Sequence, residues 1–63
     1  MKNTEYIIEI IKNGNYAKVS AIDTKTGQEA NIIADARLNI EILKKNAIKK
    51  LEYLLNKANT QND

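Results

Sequence analysis

From Glu5 to Ala34 the chain runs in short apolar-rich stretches broken by turn residues, and from Asn39 onward its apolar positions recur in steps of three and four. The first stretch, residues 5–12, reads Glu-Tyr-Ile-Ile-Glu-Ile-Ile-Lys and is rich in the β-branched and aromatic types that suit a pleated surface. It predicts a strand. Asn13-Gly14 then marks a hairpin, and a type I′ turn centred on that pair would place Lys12 opposite Asn15. In that register Ile10 faces Ala17, Glu9 faces Lys18, Ile8 faces Val19 and Tyr6 faces Ala21. The Glu9–Lys18 pair would contribute about 0.2 to 1 kcal/mol.

Residues 16–22, Tyr-Ala-Lys-Val-Ser-Ala-Ile, form the middle strand of this reading, because turn chemistry flanks them on both sides. The second turn, Asp23 to Gln28, fits a four-residue loop with Gly27 in the left-handed conformation and Asp23 bonding the turn backbone. Pairing Asp23 with Gln28 places Ala21 opposite Ala30, Val19 opposite Ile32 and Ala17 opposite Ala34. Directly opposed residues share a face. Both turns therefore assign Tyr6, Ile8, Ile10, Ala17, Val19 and Ala21 to one apolar surface.

After Ile33 the period changes. Ile40, Leu43, Ala47, Leu51, Leu54 and Ala58, with Ile48 and Leu55 beside them, make an apolar stripe of helical spacing. Asn39 is a good N-cap, Leu38 and Leu43 fit a hydrophobic staple, and Glu41 suits the first turn. The spacing predicts a helix over 40–58, about 28 Å long at 1.5 Å per residue. Ala17, Ala21, Ala30 and Ala34 keep the middle and third strands low, so the helix can settle there. The predicted class is α+β: a three-stranded antiparallel meander with one C-terminal helix packed on one face (βββα). Residues 1–58 make a single domain, and the polar stretch 59–63 reads as a disordered tail.

Length sharpens this picture. A chain of 63 residues buries only about 60% of the surface its unfolded form exposes. Small domains of this kind gain stability from disulfides, metals or oligomerisation. The sequence has no Cys and no His, so oligomerisation is the route left. Met1-Lys-Asn-Thr-Glu-Tyr lacks the apolar centre of a secretory signal, and no apolar run approaches the roughly 20 residues that span a bilayer. A cytoplasmic protein without membrane contact is expected.

Without His or Cys the usual nucleophile–base and zinc constellations cannot be built. Both glycines belong to turns, so no phosphate loop is present. Glu5 and Glu29 would flank Ile22 about 10 Å apart, but a flat sheet offers no pocket to shift a carboxyl pKa. No enzyme activity, catalytic residue, metal ligand, cofactor or small-molecule site is expected.

Two surfaces remain as candidates for binding. The sheet face away from the helix presents Ile7, Ile11, Tyr16, Ile22 and Ile33 among Glu5, Glu9, Lys18, Ser20, Glu29 and Asn31. A solvated face should alternate more cleanly to polar residues. The expected function is therefore a small non-enzymatic protein-interaction module, self-associating as a homodimer through this face or a strand edge, or binding another protein. The alternative is a nucleic-acid-binding accessory protein. Residues 1–36 hold four Lys against five acids, whereas residues 37–58 hold six bases against two acids. The outer helix face carries Lys45, Lys49, Lys50, Tyr53 and Lys57, which could track phosphates. A solvated helix face with Glu41 paired to Lys45 explains the same residues without any ligand.

Lys18-Val-Ser-Ala-Ile-Asp23, Thr26-Gly27 with Glu29, and Lys50-Leu-Glu-Tyr-Leu-Leu55 together resemble a family of short uncharacterised bacterial proteins, a domain of unknown function. The resemblance spans most of residues 16–55. It implies no activity, substrate or cofactor. Residues 34–40 depart from the family pattern.

Overall fold

The computed structural model describes residues 5–60, with the side chains of 58–60 outside that description. Four elements follow one another: β1 (Tyr6–Asn13), β2 (Tyr16–Asp23), β3 (Glu29–Asp35) and α1 (Ile40–Thr60). The strands form one antiparallel sheet in the order β1-β2-β3, and α1 lies on one of its faces. This is the βββα arrangement that the two turns and the change of period predict.

The β2–β3 register is the expected one: Ala21 opposes Ala30, Val19 opposes Ile32 and Ala17 opposes Ala34. The turn behind it is built by Asp23. Its Oδ2 accepts from the Thr26 amide at 3.2 Å and from Thr26 Oγ1 at 2.7 Å, while the Gly27 amide donates to the Asp23 carbonyl at 2.8 Å. Gly27 has φ 80°, in the left-handed region that glycine enters without steric cost.

The first hairpin differs from its expected register by two residues. Asn13 pairs with Tyr16, Ile10 with Val19, Ile8 with Ala21, and Tyr6 with Asp23. The two loop residues are Gly14 and Asn15, not Asn13 and Gly14. Gly14 has φ 63° and no residue other than glycine has a positive φ among those described, which is the type II′ pattern. The physical reason is plain: a type I′ turn needs two left-handed residues, whereas type II′ needs one and assigns it to the glycine. A two-residue shift keeps every side chain on its expected face. It changes neighbours, however. Glu9 faces Ser20, and Lys18 faces Ile11, so the expected Glu9–Lys18 opposition does not form.

The core comprises Val19, Ala21, Ala30, Leu43, Ala47 and Leu51, each at most 2% exposed. Tyr6, Ile8, Ile10, Ile32, Ala34, Ile48, Leu54 and Leu55 pack around it. The helix docks chiefly over β2 and β3, where the alanines let its axis approach. The inner side chains of β1 are left half-buried.

Asn39 caps the helix as expected. Its Oδ1 accepts from the Glu41 amide at 2.7 Å, and its carbonyl accepts from the Ile42 amide at 3.0 Å. Leu43 is 2% exposed within the core cluster, and Leu38 is half exposed. Asp35 closes β3 by accepting from the Arg37 amide at 2.9 Å and from both arms of its guanidinium. The helix extends to Thr60, beyond the expected end at 58, so residues 59 and 60 of the expected tail are helical. The remainder of that tail, 61–63, lies outside the described residues.

Candidate functional site

The outer sheet face is uncovered by any other described element. Strand register sorts it into rows running across the sheet. Ile7, Ile22 and Glu29 form the first, and Glu9, Ser20 and Asn31 the second. Ile11, Lys18 and Ile33 form the third, and Asn13, Tyr16 and Asp35 the fourth. All five candidate apolar residues lie on this face. Ile7, Ile11, Tyr16 and Ile33 are between 48% and 64% exposed, and Ile22 is partly buried.

These residues do not form one continuous patch. The Ile7–Ile22 pair is separated from the Ile11–Lys18–Ile33 row by about 13 Å along the strands, with the polar second row between them. Ser20 sits at the centre of that row and is only 4% exposed. Its hydroxyl donates to Asn31 Oδ1 at 2.6 Å. That hydrogen bond meets the requirement that a buried polar group be paired. Sequence reasoning placed Ser20 on this face but gave no sign of its burial. The register also removes the expected carboxylate pair around Ile22: Ile7, not Glu5, sits beside Ile22 opposite Glu29.

The second candidate surface is the helix exterior. Lys45, Lys49, Tyr53 and Lys57 stand at successive i,i+4 positions and so share one row. All four are exposed, Tyr53 by 62%. Lys57 Nζ lies 5.9 Å from the Tyr53 ring centroid, within cation–π reach. Lys50 points elsewhere: its ammonium donates to the Asn31 carbonyl at 2.7 Å, on the outward edge of β3. Glu41 meets Lys44 at 3.5 Å instead of the expected Lys45, which leaves that ion pair beside the apolar stripe. An open groove on the β1 side of the helix is lined by Glu41, Lys44, Lys45, Ile48, Lys49 and Glu52.

Perturbed ionisable groups lie at structural positions. Tyr6 donates to Glu52 Oε2 at 3.2 Å; desolvation first, then that bond and the neighbouring carboxylates, hold its phenol above the ordinary value. Asp23 is held below the usual carboxylate range, chiefly by the Thr26 hydroxyl, with burial opposing and the Thr26 and Lys25 amides assisting. Asp35 is lowered by the side-chain and backbone bonds from Arg37. Because the folded pKa values of Asp23 and Asp35 are depressed, their contribution to stability is present above the unfolded value of about 3.9 and is lost as pH falls through the folded pKa. Thermal melts should therefore show a Tm that drops as pH is taken below about 4, and Asp23→Asn should weaken that acid dependence while lowering the Tm at neutral pH. An unchanged acid slope in the variant would contradict this role for Asp23. Among the described residues no group of three or more His, Cys, Asp or Glu is placed to hold a metal ion, and no helix is long and apolar enough to cross a membrane.

A family model described as a domain of unknown function (DUF6898) matches residues 3–58. The chain belongs to this family. No curated protein matches, and no solved structure matches. The DUF6898 match covers all three strands and most of the helix. It includes residues 34–40, where the chain looked least like the family pattern.

Proposed function

We propose that this DUF6898 domain is a small non-enzymatic interaction module of the cytoplasm that associates with a second copy of itself. The observation that carries this reading is the set of large apolar side chains outside the helix-covered core: Ile7, Ile11, Tyr16 and Ile33 on the outer face, each about half exposed or more. Among the described residues seven apolar side chains are buried, the six of the core cluster and Ala17, and three of the seven are larger than alanine. A domain with so small a core gains from further burial, and a symmetric pair is the commonest way to obtain it.

Light scattering over a concentration series tests this reading. The wild-type mass should rise with concentration, and Ile11→Lys with Ile33→Lys should shift that rise to higher concentration, since either places a second cation beside Lys18. A strict monomer at high micromolar concentration, unaffected by the substitutions, would contradict it.

A second reading rests on the Lys45–Lys49–Tyr53–Lys57 row, which offers cations and an exposed ring along one helix face. It makes the module a nucleic-acid accessory protein. Binding to DNA or RNA that weakens steeply with salt would support it, and no binding at low ionic strength would remove it.

A further inference from the structure

The two edges of the sheet are not equivalent. In an antiparallel ladder, alternate residues turn their backbone groups toward the neighbouring strand and away from it. The bond from the Thr24 amide to the Glu5 carbonyl fixes the phase on β1. Ile7, Glu9 and Ile11 bond β2, whereas Tyr6, Ile8, Ile10 and Lys12 direct their amides and carbonyls to the open side. The same alternation directs the Asn31 carbonyl outward on β3, and there Lys50 occupies it. Among the described residues β1 has no corresponding cover.

Natural edges are commonly blunted by a bulge, a proline, an inward-facing charge or a very short strand. β1 has eight residues and an unbroken pairing ladder, and the chain has no proline. Its only lysine, Lys12, lies at the turn end. The residues that offer free backbone groups are also those whose side chains the offset helix leaves half-buried: Tyr6, Ile8 and Ile10.

We infer that β1 pairs antiparallel with β1 of a second copy across a two-fold axis at Ile8, joining the two sheets into one of six strands. The inference rests on the self-association proposed above but places the contact at the β1 edge instead of the outer face, so Ile33→Lys, on the far strand β3, would leave this pairing intact. Three registers present themselves. Centring on Glu9 would oppose the two Glu9 carboxylates directly, which is unfavourable. Centring on Ile10 would set Lys12 against Ile8 on the helix side and run Tyr6 against the turn residue Gly14. Centring on Ile8 opposes Tyr6 to Ile10 and Ile8 to itself, so only apolar side chains meet on the helix side. Each of these pairs exchanges two backbone hydrogen bonds.

The helices do not obstruct this pairing. A helix midway over β2 and β3 lies about one and a half strand spacings from β1, so the two axes stand about 19 Å apart. That exceeds the 8–10 Å of packed helices. The half-buried Tyr6, Ile8 and Ile10 of both copies form the floor between them. A two-fold β1–β1 pairing uses the same edge on both copies and so closes at two, and at the far β3 edge Lys50 occupies the Asn31 carbonyl.

Disulfide trapping tests the register, since the chain has no cysteine of its own. In the Ile8-centred pair, Ile7 faces Glu9 of the second copy at a Cα separation of about 4.5 Å. Mixing Ile7→Cys with Glu9→Cys under mild oxidation should yield mainly the mixed covalent dimer, because like residues in that register lie about 7–8 Å apart, too far for easy bridging. Amide exchange on the wild-type protein gives an independent readout: the Tyr6, Ile8 and Ile10 amides should exchange at least about tenfold more slowly in concentrated than in dilute samples. A predominant Glu9→Cys self-dimer would overturn the Ile8-centred register. A dimer by light scattering with neither the mixed product nor amide protection would overturn the edge inference and leave self-association standing. A monomer at every concentration would overturn both.

Discussion

Replacing Leu51 with alanine is expected to lower the unfolding free energy by about 2–5 kcal/mol. Leu51 is fully buried and, with Val19, is one of the two largest side chains that are. It lies where the helix meets the alanine-lined strands, so truncation leaves a cavity that a rigid sheet cannot fill. At about 0.05–0.15 kcal/mol per residue, a domain of this length holds roughly 3–9 kcal/mol in all. The substitution removes much of it. Chemical denaturation followed by circular dichroism should show a much lower midpoint, or a chain already partly unfolded in buffer. A loss below about 1 kcal/mol would mean that α1 is not seated as described.

Ala47→Leu is expected to cost about 1–3 kcal/mol for the opposite reason. Ala47 is fully buried and belongs to the same cluster as Val19, Ala21 and Ala30. Small residues on both surfaces set the close approach of helix and sheet, and an added isobutyl group must lift the helix or leave its preferred rotamer. The Tm should fall by about 4–8 °C for each kcal/mol lost. Ile42→Ala is the control on the same helix. Ile42 is 51% exposed, and surface changes of this kind stay within about 0.5 kcal/mol. Equal Tm values for Ala47→Leu and wild type would show that the alanine seat is loosely packed.

The fold was legible in the sequence where chemistry admits one solution. Asp23, Thr26 and Gly27 specify a single loop, and the β2–β3 register follows from it. Asn39 specifies a single helix start. The Asn13-Gly14-Asn15 segment admits two turns, and alternation alone cannot separate them, because a two-residue shift leaves every side chain on the same face. The core therefore survived the shift, while the neighbours of Glu9, Lys18 and Ile22 changed. The candidate outer-face residues were legible as a set, but the polar row that divides them was not. Ser20 reads as an exposed hydroxyl until its cross-strand partner Asn31 is fixed. Lys50 reads as one more solvated cation, and its bond to the Asn31 carbonyl depends on where the helix lies over the sheet. A strand edge was a candidate in the sequence, but which edge Lys50 touches depends on the docked helix.

Sedimentation equilibrium of the full chain from low to high micromolar concentration tests self-association most directly. The weight-average mass should climb from the 7.1 kDa of one chain toward twice that value and level there. A mass fixed at that of one chain throughout would contradict it.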